Sequence, residues 1–197
     1  MTDLSHPCGA VLAAGHGVAL HRIAEADLPA IGGFPFTVSI REPLDDLPAL
    51  AEAFARTGFW QPDAGAVAVR EPDGGRLLGT LQFYRAAPCI HGFEMGYILH
   101  DAAERGRGVG SEAVRLLRDL LFETFADIYR LQLIIETWNV ASWKLAERCG
   151  FVREGLLRSA GFGAGDPPDC FVYAQTRKDW SGSQHRPVSL GGAPADA

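Results

Sequence analysis

A glycine-rich turn at residues 105–110, RGRGVG, restricts what this chain can fold into more than any other feature. It follows a strand-like run at 93–99 and precedes an amphipathic run at 111–125. Glycines let a backbone turn tightly and approach a ligand without a Cβ in the way. The N–H groups in the first turn of the following helix face an anion, which the helix dipole also favours. The sequence therefore predicts a cradle for the phosphate groups of a cofactor.

The residues around this turn argue against two common nucleotide-binding motifs. A P-loop needs lysine and then serine or threonine after its last glycine, whereas this chain continues with Ser111 and Glu112. A dinucleotide-binding motif lies beside the first strand of a parallel repeat. Here the turn comes after a hairpin and a further strand. A turn that binds no ligand remains the alternative to the phosphate cradle.

The apolar pattern along the chain predicts one α+β domain around a largely antiparallel sheet. Asn139 is a natural N-cap, and Gly150 suits the end of the helix that follows it. A turn signal at residues 72–75 joins two of the strands. The predicted strands are 18–23, 66–71, 77–84, 93–99, 131–137, 151–157 and 171–176, and the predicted helices begin near residues 25, 44, 111 and 139.

Composition sets the expected domain limits and surroundings. Weak periodicity predicts a flexible arm at 1–16, one domain at 17–180, and a disordered tail at 181–197. A net charge of −6 argues against non-specific nucleic-acid binding. No apolar run reaches the roughly 18 residues of a membrane span, and no signal peptide is predicted. The four cysteines form no CxxC pair, which predicts free thiols in the cytoplasm and no metal site.

Further motifs accompany the glycine-rich turn: EMGY at 94–97, NVAS at 139–142, AERCGF at 146–151, EG at 154–155, DCFVYA at 169–174 and KDW at 178–180. Together they resemble the GNAT N-acetyltransferases and, more narrowly, the ribosomal-protein alanine N-acetyltransferases of the RimJ/RimL type. The resemblance covers about residues 18–180. It implies a splayed, mostly antiparallel sheet flanked by helices. It also implies transfer of an acetyl group from acetyl-CoA to a primary amine.

The resemblance implies a set of cofactor-binding residues. Asn139 would bind the pantetheine arm, although a plain N-cap explains it equally well. Ile98, Leu99 and His100 would offer main-chain groups to the same arm, where strands 93–99 and 131–137 splay apart. The backbone that would hold the pyrophosphate is that of Arg105, Gly106, Arg107, Gly108, Val109, Gly110 and Ser111.

An amine acceptor must lose a proton before it attacks, because an α-amino group has a pKa near 8 and lysine one above 10. Glu94 is the first candidate base and Glu136 the second, with a surface ion pair as the alternative for Glu94. Ser142 is a candidate donor of a proton to the leaving CoA thiolate, or it supports the helix cap. Because no Cys–His or Ser–His pairing is evident, direct attack in a ternary complex is expected.

The sequence does not specify the acceptor, which is either a protein N-terminus or a small-molecule amine. Phe34, Phe36, Trp60 and Phe162 are candidate walls of its pocket, or anchors of their loops. Two other interpretations stay open: an acyl donor other than acetyl-CoA, such as a longer acyl-CoA or an acyl carrier protein, and a non-catalytic acyl-CoA-binding module. The resemblance also makes a homodimer an expectation.

Overall fold

The computed structural model describes residues 6–32, 46–161 and 166–180. The described residues form one sheet whose strands are β1 Val11–Ala14, β2 Ala19–Arg22, β3 Trp60–Gln61, β4 Ala64–Arg70, β5 Leu77–Arg85, β6 Gly92–Leu99, β7 Arg130–Glu136, β8 Val152–Leu157 and β9 Cys170–Thr176. The helices are α1 Leu28–Ile31, α2 Leu47–Thr57, α3 Val109–Thr124 and α4 Val140–Arg148. Short 3₁₀ turns lie at Glu25–Asp27 and Ala102–Glu104.

The sheet has the strand order β1-β2-β4-β5-β6-β7-β9-β8, with β3 paired to β4. The β6–β7 pair is parallel, and the other pairs in the described residues are antiparallel. The prediction of an α+β domain with a largely antiparallel sheet is confirmed. Since α3 connects β6 to β7, it forms the crossover that a parallel pair requires.

The sheet splays between β6 and β7, as predicted. These strands pair only from Gly92 to Glu94. Beyond that point β6 stays with β5 as far as Leu99, and β7 stays with β9 as far as Glu136. Glycine is required at the closed end, because a Cβ on Gly92 would lie 2.1 Å from the carbonyl oxygen of Arg130. A gap therefore opens in the middle of the sheet from Met95 onwards.

Helix α3 is held on one face of the sheet by its apolar side. Val114, Leu117 and Leu121 are fully buried in the same cluster as Phe83 and Phe93 of the sheet. Burying a side chain of this size stabilises a fold by roughly 1.5–3 kcal/mol. This packing fixes the N-terminus of α3 beside the open end of the gap.

Strand β1 lies in the segment for which we predicted a flexible arm. It pairs with β2, and Ala13 is buried against the core. The turn after β1 is tied to α3, because the Glu112 carboxylate accepts hydrogen bonds from the N–H groups of His16 and Gly17 at 2.6 and 3.1 Å. Four residues are too few to show alternation, so tertiary contacts decide their conformation. Residues 1–5 and the predicted tail at 181–197 lie outside the described residues.

Candidate active site

The gap between β6 and β7 leads into two cavities that share Tyr97, Asn139 and Ser142. The larger cavity, of about 670 Å³, extends towards the start of α3 and is also lined by α4. The smaller cavity, of about 250 Å³, lies beside Glu94 and Glu136. Glu94 and Tyr97 are three residues apart on one strand, so their side chains project to opposite faces of the sheet. The gap thus connects two chemically different spaces.

The glycine-rich turn forms one end of the larger cavity. Gly106 and Gly108 have φ angles of 77° and 91°, in the left-handed region that favours glycine. A Cβ on either would meet nothing within 4 Å, so conformation and not space requires glycine there. Gly108 is the N-cap of α3 and brings no capping side chain. The first N–H groups of α3 therefore stand outside the helical hydrogen-bond ladder and suit an anion.

The structure separates the two arginines of the turn. Arg105 lines the larger cavity together with Gly106, Gly108, Gly110 and Ser111. Arg107 and Val109 instead border a surface depression beside Arg76. The buried carboxylate of Glu104 accepts hydrogen bonds from Arg76 at 2.6 Å and from Arg107 at 3.3 Å. This pairing holds the Arg107 side chain outside the lining of the larger cavity.

The pairing of β6 with β5 decides which main-chain groups of β6 face the gap. The His100 N–H donates to the Leu78 carbonyl at 3.0 Å, so this peptide group faces β5. Orientation alternates along an antiparallel strand, and Ile98 therefore faces β5 as well. The peptide groups of Tyr97 and Leu99 point towards the gap instead. The alternation corrects the prediction that the main-chain groups of Ile98 and His100 face the gap, whereas those of Leu99, and also of Tyr97, do face it.

Ile98 and Leu99 are among the residues that line the larger cavity, and His100 is not. The Nε2 atom of His100 lies 3.4 Å from the Thr80 hydroxyl, and burial lowers the pKa of His100. This histidine therefore belongs to the support of β6.

The predicted N-cap of α4 is present. The Oδ1 atom of Asn139 accepts a hydrogen bond from the Ser142 N–H at 3.2 Å. Both residues line both cavities, so capping and ligand contact are compatible at this position. The cap fixes the first turn of α4, and with it the Ser142 hydroxyl, at the junction of the cavities.

Tyr97 is a candidate functional residue that the sequence analysis did not single out. Its hydroxyl lies 2.6 Å from Ser142 Oγ and donates to the Ser142 carbonyl at 3.1 Å. Burial raises the pKa of Tyr97 to about 12, although the hydrogen bond to Ser142 acts in the opposite direction. The phenol is therefore protonated at neutral pH. The sequence feature that could have identified Tyr97 is its position on the strand before the glycine-rich turn, three residues after Glu94.

Glu94 is buried and held by neutral partners. Its Oε1 accepts a hydrogen bond from the Tyr84 hydroxyl at 2.6 Å, and its Oε2 accepts one from Gln132 Nε2 at 3.0 Å. Arg130 Nε in turn donates to Gln132 Oε1 at 3.1 Å. Burial raises the pKa of Tyr84, and the hydrogen bond to Glu94 raises it further. Tyr84 therefore remains a donor, which fixes the orientation of the carboxylate at the edge of the smaller cavity.

The other predicted site residues are only partly placed. Glu136, half-buried at the end of β7, lines the smaller cavity. Trp60 packs edge-on against Phe83 at 5.3 Å and beneath the Arg22 guanidinium at 4.9 Å, and it lines neither cavity. The position of Trp60 corrects the prediction of a substrate contact in favour of the anchoring alternative. Phe34, Phe36 and Phe162 lie outside the described residues.

Neither a metal-binding cluster nor a membrane-spanning helix is found in the described part of the chain. No group of three or more histidine, cysteine, aspartate or glutamate side chains there is arranged to hold a metal ion. None of the helices in those ranges has the length and apolar character needed to cross a membrane.

Known proteins resemble this chain in sequence and in structure. Residues 19–152 match the acetyltransferase (GNAT) domain family. The probable N-acetyltransferase YjcK of Bacillus subtilis is 32% identical over 84 residues, 42% of this chain and 45% of that protein. The matched segment thus spans about half the length of this relative.

Solved structures extend the similarity to most of the chain. Spermidine/spermine N-acetyltransferase SpeG from Vibrio cholerae has a TM-score of 0.66 at 19% identity, covering 81% of this chain and 92% of that one. RimJ from Mycobacterium smegmatis, in complex with CoA-disulfide, also has a TM-score of 0.66, at 18% identity and with coverage of 89% and 88%. Since the two scores are equal, they do not separate the RimJ/RimL branch from SpeG.

The fold and the sequence match agree. The mixed, mostly antiparallel sheet, opened between its parallel pair and flanked by helices, is the GNAT fold of these structures. The family match covers more than half of the chain, so the chain belongs to the GNAT acetyltransferase family.

Proposed function

We propose that this protein transfers an acetyl group from acetyl-CoA to a primary amine by direct attack. The observation that carries the proposal is the gap after Glu94, which joins a cavity below a glycine-rich helix start to a smaller cavity bearing carboxylates. A donor held on one side and an acceptor on the other would meet at Tyr97, Asn139 and Ser142. Such an arrangement replaces a bimolecular encounter with a positioned one.

The larger cavity suits acetyl-CoA. The free N–H groups at the start of α3 and the Arg105 side chain would hold the pyrophosphate. The peptide groups of Tyr97 and Leu99 would pair with the amides of the pantetheine arm, as a peptide pairs with an exposed strand edge. Asn139 would bind the same arm near the thioester. A main-chain N–H of β6 would also stabilise the oxyanion that forms on attack.

The smaller cavity suits a positively charged amine. Glu94 and Glu136 give it negative charge, which favours entry of an ammonium group. Each oxygen of Glu94 accepts one hydrogen bond and retains a lone pair, so Glu94 would take the proton of the amine directly or through water. Both a protein N-terminus, as in the RimJ/RimL branch, and a small amine satisfy these requirements.

Proton return to the leaving group would use the hydroxyl pair. Ser142 would protonate the CoA thiolate. The Tyr97 hydroxyl, 2.6 Å from Ser142 Oγ, would turn from the Ser142 carbonyl and give its proton to Ser142. Solvent would then reprotonate the phenolate. With a pKa raised to about 12, the Tyr97 hydroxyl carries its proton at neutral pH, as this relay requires.

Other expectations remain predictions. Three alternatives concern the donor or the activity: a carrier-bound acyl donor, a longer acyl-CoA, and a non-catalytic acyl-CoA-binding module. Binding measurements with these donors can separate them. A homodimer is a further expectation. A cytoplasmic location is proposed from the four free cysteines, Cys8, Cys89, Cys149 and Cys170.

Calorimetric titration tests the proposed function first. Acetyl-CoA, CoA and an acetylated carrier protein are compared as ligands, and release of the CoA thiol is then followed with a panel of amines. Micromolar binding of acetyl-CoA, about −8 kcal/mol, with amine-dependent thiol release is the expected result. Tight binding without thiol release from any amine favours the non-catalytic module, and binding of the carrier protein alone overturns the acetyl-CoA proposal.

A further inference from the structure

We propose that Lys144 and Arg148 form a subsite for a phosphomonoester, the 3′-phosphate of CoA, and thereby select a nucleotide-bound donor. This inference rests on the proposed function, because it assumes that the larger cavity holds CoA. It concerns a different end of the cofactor from the glycine-rich turn, and it makes a separate prediction about which donor binds.

Both cations face the same space. Lys144 and Arg148 lie four residues apart on α4, so they stand one above the other on one side of the helix. Both line the larger cavity, whose other helical side is the start of α3. An anion in this part of the cavity therefore meets two positive side chains from α4 and the dipole of α3.

The two cations are available for a ligand. Within the described ranges, neither forms an ion pair with a carboxylate. The Nζ atom of Lys144 lies 5.6 Å from the centroid of the neighbouring Trp143 ring, which is its one aromatic contact among the described residues. Both side chains are exposed, so they are accessible to a ligand in the cavity.

The opposite flank of the glycine-rich turn has the reverse arrangement. Arg76 and Arg107 are both paired with the buried Glu104 carboxylate. Arg76 also pairs with Glu71 and Asp101. On that flank the positive charges are thus neutralised by carboxylates, whereas on the α4 flank the described residues leave them without a carboxylate partner. This asymmetry predicts on which side of the turn the remaining anionic group of the donor lies.

The type of cation matches a phosphomonoester. Such a group carries a charge of about −1.5 to −2 at pH 7 and has three strong acceptor oxygens. An arginine fork and a lysine point charge together meet that demand better than backbone N–H groups alone. Trp138, which is 66% exposed, lines the same cavity and would offer its ring to the base of a nucleotide.

A consequence concerns the identity of the donor. In an acyl carrier protein the phosphopantetheine is attached through a phosphodiester, and the 3′-phosphate and the adenine are absent. A carrier-bound donor would then place no group in the subsite, and it would lose the binding free energy that the subsite gives to CoA. The two side chains therefore favour free acyl-CoA over the carrier-bound alternative.

The test compares CoA with 3′-dephospho-CoA by isothermal titration. The proteins are wild type, the double variant Lys144→Ala/Arg148→Ala, and the control Arg56→Ala/Lys178→Ala, which removes two exposed cations that line neither cavity. Wild type is expected to bind CoA roughly tenfold or more tightly than the dephospho form. The double variant should bind the two ligands within about twofold of each other, and the control should keep the preference. Circular dichroism verifies that all three are folded.

The outcomes separate the subsite from the proposed function. Equal binding of both ligands by wild type overturns the subsite and leaves CoA binding intact. A preference that persists in the double variant overturns the assignment to Lys144 and Arg148. No binding of either ligand overturns the proposed function, and the subsite with it. As a further check, the single variant Arg148→Lys should keep more of the preference for CoA than the single variant Arg148→Ala.

Discussion

The two cavities on either side of the splayed strands are built in different ways. The larger one presents backbone N–H groups, an unpaired strand edge and side-chain cations, and its main elements come from short, continuous stretches of sequence. The smaller one presents a buried carboxylate whose partners, Tyr84 and Gln132, lie 10 and 38 residues away along the chain. A backbone-built site tolerates most side-chain changes, whereas a site of interlocked side chains depends on each member. The two halves should therefore respond differently to mutation.

The largest effect should come from Glu94→Gln, which keeps the shape of the side chain and removes the base. Turnover is expected to fall by roughly 10²-fold or more, because general-base catalysis contributes about that much. Acetyl-CoA affinity should remain within about twofold, since Glu94 lies outside the larger cavity. Steady-state thiol release and calorimetry measure the two quantities. Unchanged turnover would remove Glu94 from the proposed chemistry.

The backbone-built half should be broken most clearly by Gly108→Ala. The φ angle of 91° is unfavourable for alanine by about 1–2 kcal/mol, so the turn should lose its shape. Acetyl-CoA affinity is expected to fall roughly tenfold. Gly155→Ala is the matched control, because a Cβ there also meets nothing within 4 Å and its φ lies outside the left-handed region. Equal effects of the two changes would contradict the cradle.

The junction between the halves should give an intermediate result. Tyr97→Phe and Ser142→Ala are each expected to lower kcat by about tenfold, at the lower end of general-acid effects, with little change in KM for the donor. Because the hydroxyls act as a unit, the double variant should be little worse than either single variant. Additive losses would show that the two residues act independently.

The smallest effect concerns alkaline pH. The folded pKa of Tyr97 is about 12, against an ordinary value of 10.0. Between these values the folded state binds more protons than the unfolded state, so the free energy of unfolding falls as pH rises from about 10 to about 12. Tyr84 and Tyr173 also have raised pKa values and contribute in the same direction. In urea titrations across this range, Tyr97→Phe should show a shallower decline than wild type, and an identical decline would contradict this account.

Sequence reasoning succeeded where structure is local. The turn at 105–110, the Asn139 cap and the splay between β6 and β7 follow from glycine conformations, a capping side chain and a recognisable motif order. Sequence reasoning failed where the register between two strands decides which way a peptide group points. Which peptide groups of β6 face the gap depends on pairing with β5, which places His100 N–H on Leu78.

Long-range contacts explain the other differences. The hydrogen bonds that fix Glu94 come from two other strands, and the hydroxyl pair joins Tyr97 to a residue 45 positions away. In the sequence, an aromatic residue such as Trp60 looks the same whether it lines a pocket or packs in the core. Its contact with Phe83 shows that it packs against the core. No pattern within a single segment encodes such pairings, because they form only when the sheet assembles.

The close contact at Gly92 determines where the gap begins. The strands diverge from a fixed vertex there, so the space between them is a wedge whose width grows with distance from residues 92–94. From Glu94 to Tyr97 this distance is about 10 Å, at roughly 3.3 Å per residue. A group that advances towards the vertex meets the backbones of β6 and β7 closing on it from both sides. Such a wedge would admit narrow groups further than wide ones without a dedicated side chain, and an added methyl group at Gly92 would force β6 and β7 apart at the vertex.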